Sequence, residues 1–388
     1  MRYTCSIIFA ALLLSIPFAK LSGQDIILVT NDEFRPVAQE AMDSLYNRNP
    51  EAARQIMQPW IDKYPGHPVW SLWKGMELWW DVLTDLDDTS HDDEFFERMK
   101  KAYFDAGRYL QKNERNPDGL IARAAANGYI ARQKSNREEW LSSLNYGRMA
   151  YQSQQAMKKV LPDFADNLLA EGIIKYYSAY LPDAYPFMKT MTWFLPEGDR
   201  EEGLNLIRRA VEESLFAAPE ALYFAGIIEL NYEKDYDKAA ADFKRLARDF
   251  PNNSYYRRLL VRSLYNMDRY DEAAVAIEEA ISHWKRKSLL NEGVMLEELL
   301  YWDGRIKLND KNYSEAYRLF EESFETGDAL PNSEKRTYKQ LSGYFAGLAA
   351  ERMNDNKKAA HFFKAVTDMD ADGEVKKRAK EKLAEINE

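Results

Sequence analysis

Residues able to do covalent or metal chemistry are few and far apart in this 388-residue chain. The four histidines, His67, His91, His283 and His361, never pair at a spacing of three or four, so no helix presents two imidazoles to one metal ion. The single cysteine, Cys5, excludes an intramolecular disulfide and a thiolate-paired zinc site. No nucleophile elbow, HExxH helix, P-loop or GxGxxG turn is present. The run Asp81–Glu97 gathers eight carboxylates without Lys or Arg, which suggests calcium. A twelve-residue calcium loop counted from Asp85, however, would need Gly and Glu where Ser90 and Phe96 stand. The run reads better as a loop feeding Asp92 or Asp93 into a helix N-terminus, where the dipole favours negative charge. No catalytic residue, cofactor or metal ligand is assigned, and the chain is not expected to be an enzyme.

Binding chemistry is better represented, through aromatic side chains. Trp60, Trp70, Trp73, Trp79 and Trp80 crowd one short stretch, and Trp73 and Trp80, seven residues apart, share a helix face. Flat indole faces stack on sugars or extended peptides, and they also fill the space between packed helices. The segment 176–199 holds Tyr176, Tyr180 and Trp193 among other large rings. Packing is the commoner fate of such rings, but burial and binding are compatible.

The elements that must position these residues are helical. Apolar residues make up 46% of the chain and charged residues 30%, while Gly (17) and Pro (14) are scarce, which favours an all-α core. Periodicity confirms it. In 236–250 the residues Tyr236, Ala239, Ala240, Phe243, Leu246 and Phe250 form one helical stripe, with Asp237, Asp242, Lys244 and Arg248 opposite. Pro251 then stops the helix. The phrase DYDKAAADF recurs 34 residues later as RYDEAAVAI, then as NYSEAYRLF and NKKAAHFF. Small residues return with it: Gly226 and Ala239, Ala273 and Ala280, Gly304 and Ala316, Gly347 and Ala359. Helices lying ~8–10 Å apart need small residues where their backbones cross.

These spacings resemble the tetratricopeptide repeat, with Pro65, Pro162 and Pro251 at the positions that close second helices. Val261 departs from the pattern, standing where Gly is usual. The resemblance implies an all-α solenoid of about eight helix hairpins, at 33–64, 68–114, 117–160, 164–216, 218–249, 254–285, 290–325 and 332–369. The repeats are clear over 218–370 and divergent over 33–216. In the fourth pair Gly172 and Gly203 take the small positions, and roughly 18 residues more than usual separate them. The Lys- and Glu-rich helix 373–386 suits a water-facing cap. Stacked pairs form an open array with a concave groove lined by first helices. Repeat position then offers Asn127, Tyr129, Lys175, Tyr176, Glu229 and Tyr232 as groove residues.

The N-terminus places Arg2 before the apolar stretch 7–19, which is short for a bilayer span and reads as a signal peptide cut between Gly23 and Gln24. Cys5 precedes that stretch, so it is not the lipidated residue of a lipoprotein. An extended arm, 24–32, follows, with Asp32 placed to cap the first helix. Taking Arg2 and Lys20 from the 53 Lys and Arg leaves 51 against 63 Asp and Glu, a net charge of −12. Such a surface opposes nucleic acid and anionic lipid. The phrases within 117–251, above all 195–210 with Gly198, Asp199 and Arg200, are loosely similar to the TRAP-transporter-associated T component, which implies an exported adaptor. The expectation is an exported, periplasmic or envelope scaffold that binds a protein or peptide in its groove. The alternative is a ligand-holding accessory of solute uptake, taking a small molecule. A glycosidase on a helical toroid fits less well, because tandem units favour an open array.

Overall fold

The computed structural model describes residues 26–190, 196–289 and 292–387, and among these it holds seventeen α-helices and no strand. They are α1 (Phe34–Tyr46), α2 (Pro50–Lys63), α3 (Val69–Thr84), α4 (Asp92–Lys112), α5 (Pro117–Asn136), α6 (Trp140–Val160), α7 (Asn167–Ala184), α8 (Arg200–Glu213), α9 (Ala218–Ile228), α10 (Tyr236–Asp249), α11 (Ser254–Asn266), α12 (Tyr270–Lys287), α13 (Glu292–Asn309), α14 (Tyr313–Asp328), α15 (Thr337–Arg352), α16 (Asn356–Asp368) and α17 (Glu374–Asn387). The first sixteen pack as eight consecutive hairpins, and α17 lies against α15 and α16 at the end of the stack. The signal-peptide stretch and Trp193 fall outside the described residues.

Local chemistry sets the hairpin turns. Asn49, Asp235, Asn312 and Asp355 each accept a backbone N–H three residues on, capping second helices. The residue just before each of these caps (Arg48, Lys234, Lys311 and Asn354) adopts positive φ and reverses the chain. At the helix crossings the repeat solves one packing problem several times. A Cβ on Gly226, Gly304 or Gly347 would stand 2.4–2.8 Å from the ring of Phe243, Phe320 or Phe363. In the sixth pair Val261 replaces the Gly and the smaller Ile277 replaces the Phe, both buried, so volume is conserved across the crossing.

Two expectations for the first helix are corrected. The described part of the arm, 26–33, is a run of bends and turns, with Leu28 buried. The buried carboxylate of Asp118 accepts the N–H groups of Leu28 (2.5 Å) and Val29 (2.8 Å) and lies 3.1 Å from His67 Nε2. The start of α1 is capped by Asn31, whose Oδ1 accepts from Phe34 N at 2.8 Å, and not by Asp32.

The array is not open. The loop that follows α3 returns to the far end of the chain, where Asp85 accepts two hydrogen bonds from Arg336, at 3.0 and 3.1 Å. The same guanidinium is held by Glu297 at 2.7–3.0 Å. Asp87 accepts Thr337 N at 3.1 Å and so caps α15 from 250 residues away. Asn332 Nδ2 donates to Asp87 O and to Thr89 Oγ1. Higher up, Asn253 Nδ2 donates to Tyr46 O, and Asn252 N to Asn47 Oδ1. One superhelical turn is therefore latched upon itself, and the acidic run that suggested calcium forms half of the latch. Its C-terminal portion behaves as expected: α4 opens at Asp92 with an acidic first turn. Among the described residues no cluster of His, Cys, Asp and Glu has metal-binding geometry, and no helix is long and apolar enough to cross a membrane.

Candidate interaction site

Closure decides the fate of the inner face. Arg132 on α5 lies over the rings of Trp79 on α3 and of Tyr223 and Phe224 on α9, at 4.8–4.9 Å, and pairs with Glu220 at 2.6 Å. Tyr129 packs against Trp79 at 5.3 Å, and Trp80 against Tyr46 and Tyr256 at 5.5 and 5.7 Å. First helices from opposite sides of the turn thus meet through aromatic rings and one desolvated ion pair. The groove expected between them is filled here.

The groove residues proposed from repeat position are placed accordingly. Trp73 and Trp80 are buried, and Trp80 packs edge-on against Tyr46 and Tyr256. Asn127 is buried, and neither polar atom of its amide has a partner within the protein. Tyr176 is buried and donates to Glu233 at 2.5 Å, and Glu233 also accepts from Arg200. Tyr180 and Tyr232 join Tyr176 in one cluster, with Tyr180 and Tyr232 centroids 4.4 Å apart. Lys175 is next on α7, but its amine is taken by Glu202 at 2.8 Å.

Glu229 is buried at the start of a π-helical turn, Glu229–Glu233, and meets Arg208 and Asp242 rather than a groove. Arg208 donates to Glu229 Oε2 at 2.6 Å and to both Asp242 oxygens at 2.7 Å. Asp242, expected on the solvent face of α10, is buried because this arginine reaches it. Two carboxylates share one guanidinium: burial raises the Glu229 carboxyl to about 7 and also raises Asp242, while Arg208 pulls both back down. The folded value of Glu229 lies above its unfolded one. The stability it contributes is complete below the unfolded value of 4.5 and is lost as pH rises towards 7. Glu229→Gln keeps the shape without the titration. From about pH 5 to about pH 8 its melting temperature should therefore fall less than that of the wild type. Equal slopes would show that Glu229 is ionised throughout.

Open, ligand-accessible geometry lies on the outer side instead. Between α4, the α4–α5 loop, α5 and α6 runs a solvent-open trough of about 1080 Å³. Leu110, Leu120, Ala156 and Val160 line its floor, and Phe104 stands on its edge at 64% exposure. Gly107 contributes bare helix backbone: a Cβ built there meets nothing within 4 Å. Glycine inside a helix costs roughly 1 kcal/mol relative to alanine, and at the crossings a close neighbour explains it. Gly107 shares its open Cβ position with Gly128 and Gly147, and it alone of the three lines the trough.

Arg108, Arg115, Arg123 and Lys159 line the trough alongside Asp105 and Glu114. Asp105 is occupied, by Ser71, Lys101 (2.7 Å) and Arg108 (2.5 Å). Burial acts to raise its carboxyl, but the bonds from Lys101 and Ser71 outweigh this and hold it below the usual range. Arg123 is oriented by Ser153 Oγ at 3.1 Å. Among the described residues Arg115, Arg123 and Lys159 have no carboxylate partner. The sequence reading missed this site. Its signal was the exposed stripe Lys101, Phe104, Arg108 and Lys112 along α4, followed by Arg115 in the next loop, basic in an acidic chain and interrupted by one large ring.

No family model and no curated protein matches the chain. Solved structures do. A tetratricopeptide repeat protein from Parabacteroides merdae is 15% identical, with 82% of this chain and 99% of that chain covered, at a TM-score of 0.42. Yeast Tom70 is 13% identical, with 77% and 61% covered, at 0.43, so the chain spans less than two thirds of the Tom70 chain. The human IFIT1 dimer with PPP-AAAA is 11% identical, with 92% and 86% covered, at 0.47. Each is a likeness alone, and nothing about what this chain binds follows from it.

Proposed function

We propose that the chain is an exported protein-interaction scaffold, and that it holds a segment of its partner in the outer trough between α4, α5 and α6. The observation that carries this reading is the pairing of an exposed Phe104 with open helix backbone at Gly107, in a trough whose apolar wall keeps Ala156 and Val160 half-buried above the buried Leu110 and Leu120. Solvent-facing apolar surface framed by polar groups marks interaction sites. The latched turn supports the reading from the other side, since its filled interior leaves the outer surface to do the binding, on rigid walls that lose little entropy when a partner docks.

The test is a photo-reactive phenylalanine analogue at Phe104 in the native host, with Val275 on α12, 56% exposed, as the control position. Adducts with one defined protein at Phe104, absent at Val275 and abolished by Gly107→Trp, are expected. Equal labelling at both positions would overturn the site. Export is tested separately by the N-terminal residue of the protein recovered outside the cytoplasm: Gln24 is expected, and a retained Met1 contradicts it.

A further inference from the structure

We infer that the segment held in the trough is an acidic peptide with an apolar anchor. The inference rests on the docking reading above and adds the chemistry of the partner. Once Arg108 is set against Asp105, the trough still holds three cationic side chains, Arg115, Arg123 and Lys159, against one carboxylate, Glu114, in a chain whose net charge is −10. Asp105 is already neutralised by its own contacts. Arg123 is held by Ser153, so its remaining N–H groups are pre-oriented for a carboxylate. Arg115, on the α4–α5 loop, and Lys159, in the last turn of α6, bring further cations to the same trough. Between them the half-buried Ala156 and Val160, with the exposed Phe104 on the edge, offer a small apolar seat, and Gly107 lets a peptide backbone approach the helix closely.

Shape and field choose among anionic partners. The trough is concave, so a flat anionic bilayer reaches Phe104 and the rim cations but not the half-buried Ala156 and Val160 along its wall. A nucleic acid brings a continuous run of phosphates towards a surface that is acidic outside the trough, and long-range repulsion opposes it. A short peptide with two or three carboxylates around one aliphatic or aromatic residue matches both the local charge and the apolar floor.

The experiment is a selection of displayed random decapeptides on the purified full chain, with counter-selection on Gly107→Trp. Tryptophan there projects into open space, so the variant is expected to melt with the wild type. Arg115→Glu combined with Lys159→Glu, both on exposed positions, provides a second variant that leaves the floor intact. Enriched peptides are expected to carry at least two Asp or Glu beside Leu, Ile or Phe. A synthetic copy should lose about tenfold in affinity on the double Glu variant, and a comparable amount between low and high salt, as exposed charge pairs do. Binders that require the trough but are neutral or basic, with no salt dependence, would overturn the acidic partner and leave the docking reading standing. No peptide that distinguishes wild type from Gly107→Trp would overturn the docking site itself. Tighter binding at the trough of a single-stranded oligonucleotide, or of phosphatidylserine vesicles, would overturn the peptide in favour of that ligand.

Discussion

Arg336→Met is expected to lower the unfolding free energy by about 3–5 kcal/mol, the cost of leaving buried charge unpaired. Arg336 is 1% exposed and is the shared cation for Glu297, on α13, and Asp85, in the loop after α3. Burial already raises the Glu297 carboxyl, and the bonds from Arg336 oppose that rise. Methionine fills the space but leaves two carboxylates facing each other without a counter-charge. Arg336→Lys should recover only part of the loss, because a single ammonium cannot reproduce the paired bonds that the planar guanidinium makes to both Asp85 and Glu297. Urea denaturation followed by far-ultraviolet circular dichroism measures both. A change within about 0.5 kcal/mol for Arg336→Met, the size expected of an ordinary surface substitution, would show that the latch contributes nothing to stability.

The second large effect comes from two glycines that face each other. A Cβ on Gly203 would lie 2.5 Å from the backbone nitrogen of Tyr176, and one on Gly172 would lie 2.7 Å from the carbonyl oxygen of Gly203. A Cβ on Gly203 strikes backbone, and one on Gly172 strikes backbone beside the Ile207 side chain, so α7 and α8 must separate to admit even one carbon. Gly203→Ala should therefore destabilise at the upper end of the about 1–3 kcal/mol typical of overpacking. Gly147→Ala on α6 is the control with the opposite sign. Nothing lies within 4 Å of its Cβ position, and alanine should add up to about 1 kcal/mol of helix preference. Loss at both positions, or at neither, would refute the close crossing.

These two sites differ in how far the sequence revealed them. Gly172 and Gly203 stood out as the small residues of the fourth pair because hairpin packing is periodic, and a repeat announces its crossings through spacing alone. The stripe on α10 was legible for the same reason. The latch was not, because it joins residues about 250 positions apart through single side chains that follow no period. The acidic run was visible as charge, but its partner, Arg336, was one arginine among many. Asp242 was misplaced for a related cause: a helical wheel sorts residues by angle and takes no account of Arg208 reaching across from α8. The aromatic residues of the first helices were correctly singled out as unusual. Their excess closes the turn on itself, so Trp73, Trp80 and Tyr176 became interior while the solvent-facing trough formed on α4, whose basic stripe belongs to no repeat consensus.

Closure is the claim on which both the filled interior and the outer docking site depend, and a spin-label distance tests it most directly. In Cys5→Ser protein, cysteines placed at Ser90 and Glu334, both exposed, carry the labels on either side of the latch. A single short, narrow separation is expected in the wild-type background, lengthening and broadening with Arg336→Met. A long, broad separation without that substitution would mean that the hairpins form an open array and that the inner groove is available after all.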